Sequence, residues 1–127
     1  MMKKLVFLII LTVFSFDANA GCDDPIGDGV DYTNCRFSEG QDLGSSYLPN
    51  SNLSFASFVK VKFDKSIMMN SILAFGTFAE SSFIRANLYE ANLQGANFEL
   101  TNFTSANLTR ANFSGASLIG ANFKNAN

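Results

Sequence analysis

The chain contains no histidine. That removes imidazole acid–base chemistry and the commonest nitrogen ligand for a metal. A dominant charge is also missing: 9 basic and 11 acidic residues give a net charge of −2. Such a mild imbalance argues against a nucleic-acid surface. The longest apolar run, residues 5–16, is too short to span a bilayer comfortably. The acids of residues 23–31 lack the D-x-D-x-D-G spacing of a calcium loop. After Glu39 and Asp42, the remaining acids Asp64, Glu80, Glu90 and Glu99 are scattered singly, and no nucleophile has a base beside it. The expectation is a protein that is not an enzyme, with no cofactor and no metal.

The N-terminus reads as an export signal over residues 1–20. Lys3 and Lys4 precede the apolar run, and Ala18-Asn19-Ala20 supplies a small-x-small cleavage site before Gly21. Removing Lys3, Lys4 and Asp17 takes the 9 basic and 11 acidic residues to 7 and 10, a net charge of −3. The expected location is periplasmic or secreted. There are only two cysteines, Cys22 and Cys35. In an exported chain an even pair reads as a disulfide. The sequence Asn19-Ala20-Gly21-Cys22 leaves a second reading open, in which Cys22 carries a lipid anchor.

From residue 41 onward the pattern has a period of five. A large apolar residue recurs without a break from Leu43 to Phe123, and two residues before it sits a mostly small one. On a helix, five residues advance the phase by about 140°, which smears the large residues over every face. On a flat strand an odd period sends successive ones to opposite faces. A corner in every pentad buries them all. Four corners close a square coil of twenty residues, and coils stack at strand spacing, about 4.8 Å. Sorting the large residues by twenty tests this. Side one collects Leu43, Phe63, Phe83, Phe103 and Phe123. Side two collects Leu48, Met68, Leu88 and Leu108. Side three collects Leu53, Leu73, Leu93 and Phe113, and side four Phe58, Phe78, Phe98 and Leu118. Phenylalanine gathers on sides one and four, as a coil of four pentads predicts.

This tandem A-N-L/F-x-x pattern, as in residues 86–98 (ANLYEANLQGANF), resembles the pentapeptide-repeat proteins. The resemblance implies an all-β fold, a right-handed quadrilateral β-helix of about four coils over residues 41–127. Residues 21–40 would form a short disulfide-tied N-terminal cap.

The asparagines at 87, 92, 97, 102, 107, 112 and 122 alternate with inward residues and should face out, bonding to each other or to turn backbone. Tyr47, Phe55, Ile67, Met69, Ile72 and Phe75 also fall at outward positions, all on sides two and three of the first two coils. Exposed apolar clusters mark contact surfaces. The competing expectation is that residues 21–40 fold over them. Phe123 lies in the last coil with no coil beyond it, so two copies are expected to meet there through residues 107–127 as a homodimer. The function expected is a non-enzymatic structural or protein-binding module whose partner is unknown, with no nucleic acid and no membrane span. The alternative is imitation of DNA toward an enzyme such as gyrase, which the resemblance allows for some members. Lys60, Lys62, Lys65, Arg85 and Arg110 among the acids, together with the export signal, weigh against it.

Overall fold

The computed structural model describes residues 21–127. The export signal expected over residues 1–20, including Ala20 of the cleavage site, lies outside the described residues. From Asp42 onward every backbone pairing joins a residue to the one twenty further on, in parallel: Asp42 to Lys62, Lys62 to Ser82, Ser82 to Asn102, and so around all four sides. The result is a right-handed four-sided β-helix.

Each pentad builds one side and one corner. The small residue and the large residue point inward, and the residue between them bridges to the coils on either side. On side three the Leu53 N–H donates to the Ile72 carbonyl at 2.7 Å, and the Ile72 N–H donates to the Ser51 carbonyl at 2.8 Å. The two residues after the large one make a β-turn, closed for example by the Ala86 N–H on the Phe83 carbonyl at 3.0 Å. The second turn residue takes φ between 54° and 70° at every corner from Ser45 to Asn125. That is the left-handed geometry of a type II turn. Phe55, Lys60, Phe75 and Arg85 adopt it although it disfavours any Cβ. Cross-coil bonds from their own N–H groups hold them there, as the Phe75 N–H is held by the Gln94 carbonyl at 2.8 Å.

The interior is two phenylalanine stacks and an aliphatic wall. Phe58, Phe78 and Phe98 stack at 5.2 and 5.1 Å. Phe63, Phe83, Phe103 and Phe123 stack at 4.9, 5.2 and 5.1 Å. These spacings suit aromatic contact and follow directly from the coil rise. Met68, Leu73, Leu88 and Leu93 fill the other half, fully buried.

Residues 21–40 are largely an incomplete coil of their own. Asp31 bridges to Asn52 and Arg36 to Ser57, an offset of 21 instead of 20. Tyr32 and Cys35 are buried, and Phe37 stacks on Phe58 at 4.4 Å. The extra residue lies between Phe37 and Leu43, six apart, where Gly40 takes φ +75°. Cys22 is bonded to Cys35, and the Tyr32 hydroxyl donates to the Asp24 carbonyl at 2.7 Å. The segment covers the end of the first coil. It does not fold over the outward apolar residues, which corrects that competing expectation: the 21-residue offset keeps the chain in the path of the coil, away from the sides.

Candidate functional site

The outward residue between the small and the large one normally has a task. At 52, 87, 92, 97, 102, 107, 112 and 122 it is Asn, and its Oδ1 accepts the N–H two residues on at 2.9–3.1 Å. This Asx bond caps the free amide of each turn. The asparagines bond to one another only once among the described residues, Asn107 Nδ2 to Asn87 Oδ1 at 3.1 Å. Of the two partners expected, turn backbone dominates. Where side one has Ser82 instead, Asp64 from the coil before supplies the acceptor, taking the Ile84 N–H at 3.0 Å and the Ser82 hydroxyl.

Side two in the first two coils, and side three in the second, depart from this rule. Tyr47, Ile67 and Ile72 stand at the capping position, and the two isoleucines have no acceptor to offer. After Tyr47 the turn begins with Pro49, which has no N–H to cap. After Ile72 it begins with Ala74, 6% exposed, whose N–H donates to nothing among the described residues. In the same column Asn52, Asn92 and Asn112 each cap their turn. The turns after Ser57, Lys62, Thr77 and Ser117 are uncapped as well, but they begin with residues that water reaches, whereas Ala74 is buried.

The displayed side chains are open to solvent. Tyr47 is 54% exposed, Phe55 58%, Phe75 52%, and Ile67 and Ile72 about 40%. Met69 is half-buried. Phe55 and Phe75 stack at 5.3 Å along the corner between sides three and four. The Phe75 ring lies over Gly95, where a Cβ would come within 2.5 Å of it. Beyond it, a Cβ at Gly115 would meet only backbone atoms of Gly95, at 4.0 Å. Side three, residues 51–55, 71–75, 91–95 and 111–115, carries no charged residue, whereas every other side carries some.

Charges collect elsewhere in columns. Glu90 and Arg110 pair at 2.8 Å, and Lys60 and Glu39 at 3.3 Å. Glu90 is held below the usual carboxylate range by the hydrogen bond from Arg110, and Asp31 by the hydrogen bond from the Thr33 side chain. These surface pairs contribute little to stability. Among the described residues no group of three acids or cysteines gathers closely enough to hold a metal, and no helix is long and apolar enough to cross a membrane.

Other exposed apolar residues lie outside the expected cluster: Ile26 at 44% before the first coil, and Leu100 at 63% and Ile119 at 72% on side four. The same phase reading that found Phe75 places Leu100 and Ile119 outward too. Phe123, in the last coil, is 37% exposed.

A family model described as Pentapeptide repeats matches in 8 copies, over residues 73–104, 81–116 and 96–127. Among solved structures, a pentapeptide repeat protein from the thylakoid lumen of Arabidopsis thaliana is 29% identical. It has a TM-score of 0.58, with 72% of this chain and 61% of that one covered. HetL, a pentapeptide repeat protein involved in heterocyst differentiation regulation in the cyanobacterium Nostoc, is 22% identical, with a TM-score of 0.52 over 80% and 60% of the two chains. Full-length QnrB1, a plasmid-mediated fluoroquinolone resistance protein, is 18% identical, with a TM-score of 0.55 over 74% and 61%. At these last two identities the likeness is one of fold. The chain spans about three fifths of the length of each of these structures. No curated protein matches it significantly.

Proposed function

Because this chain is a pentapeptide-repeat protein whose outward positions are mostly polar, we propose that it is a non-enzymatic, exported protein-binding rod whose contact surface is the patch of Tyr47, Phe55, Ile67, Met69, Ile72 and Phe75. The observation that carries the reading is the cluster of exposed apolar side chains, joined at Ile72 by an uncapped turn amide on the buried residue Ala74. A change that forfeits a backbone hydrogen bond and also exposes hydrocarbon harms the isolated monomer on both counts. It makes sense where something covers the surface.

Export is supported by the Cys22–Cys35 disulfide, a bond that persists in oxidising compartments. A sulfur bonded to Cys35 is not available for a lipid thioether. The interspersed lysines and arginines favour a protein partner over imitation of DNA. Residues 107–127 offer a second contact, because the partly exposed Phe123 suits end-to-end pairing of two copies there.

The test is affinity capture from the exported compartment with the host-processed protein and its Ile72→Asn variant as baits. The wild type should retain a partner that the variant loses, and mass spectrometry of the bait should show Gly21 as the first residue. Equal capture by the two baits would remove the patch from the function. A bait beginning at Met1 would remove export.

A further inference from the structure

We propose that side three is a contact between two copies of this chain, lying side by side and antiparallel, with the phenylalanine ridge of one against the glycine step of the other. The inference rests on the patch being a contact surface and names its occupant.

Charge is the first argument. In a two-fold contact each patch meets its own copy, so any charge on it meets a like charge or is left desolvated. An acidic protein can pair in this way most readily through a face without charge. Side three is that face, and it is uncharged over all four coils. The exposed apolar residues occupy only its first two coils. The remaining two present Asn92, Gln94, Asn112 and Ser114, neutral groups that can donate and accept.

Shape is the second. The corner column reads Phe55, Phe75, Gly95, Gly115. It rises at its first half and falls away at its second. The Phe75 ring already lies over Gly95, so the open part of the step is at Gly115, where the nearest atoms to an added Cβ are backbone atoms of Gly95 at 4.0 Å. Turning a second copy upside down about an axis near the middle of this column sets its Phe55 at the first copy's Gly115, and the reverse. A column of four similar side chains would give ridge against ridge. Phe55, Phe75 and Ile72 are each about half exposed, so they offer on the order of 300 Å² of apolar surface per copy, taking about 200 Å² for a large side chain. That is a small interface, in the range of weak, reversible pairing.

The test reads mass by analytical ultracentrifugation of the host-processed protein over a range reaching roughly 100 µM, as suits a weak interface. The deciding variant is Gly115→Glu. It lies two coils from Phe75, outside the apolar patch. Its φ of +70° lies close to the 57° and 54° that Glu80 and Glu90 adopt at equivalent corners, and an added Cβ meets nothing nearer than backbone atoms of Gly95 at 4.0 Å, so the fold accepts it. Phe123→Lys separates the end-to-end contact. The wild type should run larger than a dimer, since two two-fold contacts at different heights on one rod do not close. Gly115→Glu should stop at the end-to-end dimer, Phe123→Lys at the side-by-side dimer, and the double variant should be a monomer. Adding Phe55→Lys to Gly115→Glu should restore side-by-side pairing, because the new charges then face each other. A Gly115→Glu protein with the mass profile of the wild type, or a rescue that fails, overturns the proposal. If those occur while Ile72→Asn still loses a captured partner, the patch stands and only its occupant was wrong.

Discussion

Replacing Ile72 by Asn should stabilise the protein. Ile72 is 40% exposed, so only about three fifths of its side chain is out of water. Full burial of such a side chain contributes about 1.5–3 kcal/mol, and Asn keeps the Cβ and fills part of the same contact, so the loss is about 1 kcal/mol. Against it, the new Oδ1 falls where Asn52, Asn92 and Asn112 place theirs, at 3.0–3.1 Å from the turn amide. The amide it would reach is that of Ala74, buried and without an acceptor. Pairing such a group recovers about 1–3 kcal/mol. The net expectation is a gain of about 1 kcal/mol. Urea unfolding of the processed protein measures it: the midpoint should rise while the slope stays constant, as befits an unchanged native surface. A loss of more than about 1 kcal/mol would mean that Ile72 is there for packing. The argument that stability was surrendered for contact would then fall.

Ser66 carries the one buried side-chain polar atom without a partner among the described residues. Ser66→Ala should therefore raise stability by about 1 kcal/mol in the same assay, and a loss would show that its hydroxyl is satisfied. Phe98→Asp sets a carboxylate between the rings of Phe78 and Phe103, and no soluble folded protein should result. Its outward neighbour Asn97 gives up a 2.9 Å bond to the Glu99 amide on change to Ser, at a cost of about 1 kcal/mol; similar outcomes for the two would refute the inward–outward assignment. Asp31 and Glu90 have pKa values lowered on folding, so their contribution is present above the unfolded carboxylate range and fades as pH falls through the folded values. With no histidine, the melting temperature should be flat between about pH 5.5 and 7 and fall below about pH 4; a step within the flat window would contradict this.

The solenoid was legible because its period is long and unbroken. Seventeen large residues in one register leave the chain a single way to bury them, and the phenylalanine columns then follow from arithmetic. Residues 21–40 were harder. Cys35-Arg36-Phe37 has the small-x-large form of a pentad, but the six-residue step to Leu43 takes it out of phase, so a search at fixed period passes over a coil that is physically continuous with the rest. The asparagines were placed outward correctly. Which bond they make depends on the distance to a turn amide, and sequence does not carry distances. The significance of Ile72 was hidden for the same reason: its phase shows that it faces out, but only the unpaired amide at Ala74 shows what its presence forgoes.

The twenty-residue register also bears on how such a chain can lengthen. Every pentad has the same corner geometry, so a duplicated pentad inserted anywhere in the rod could fold. It would, however, turn all later columns by a quarter of a revolution. Phenylalanines would come to lie under leucines, and the charge-free face would be split into two halves pointing in different directions. Duplicating a whole coil preserves both. The six-residue step before Leu43 escapes this rule because it sits at the end of the rod, where a slip displaces only the partial coil before it. Growth of the gene is therefore free at its margin and quantised in its interior, and a flat face of uniform character is inherited by the coil, never by the repeat.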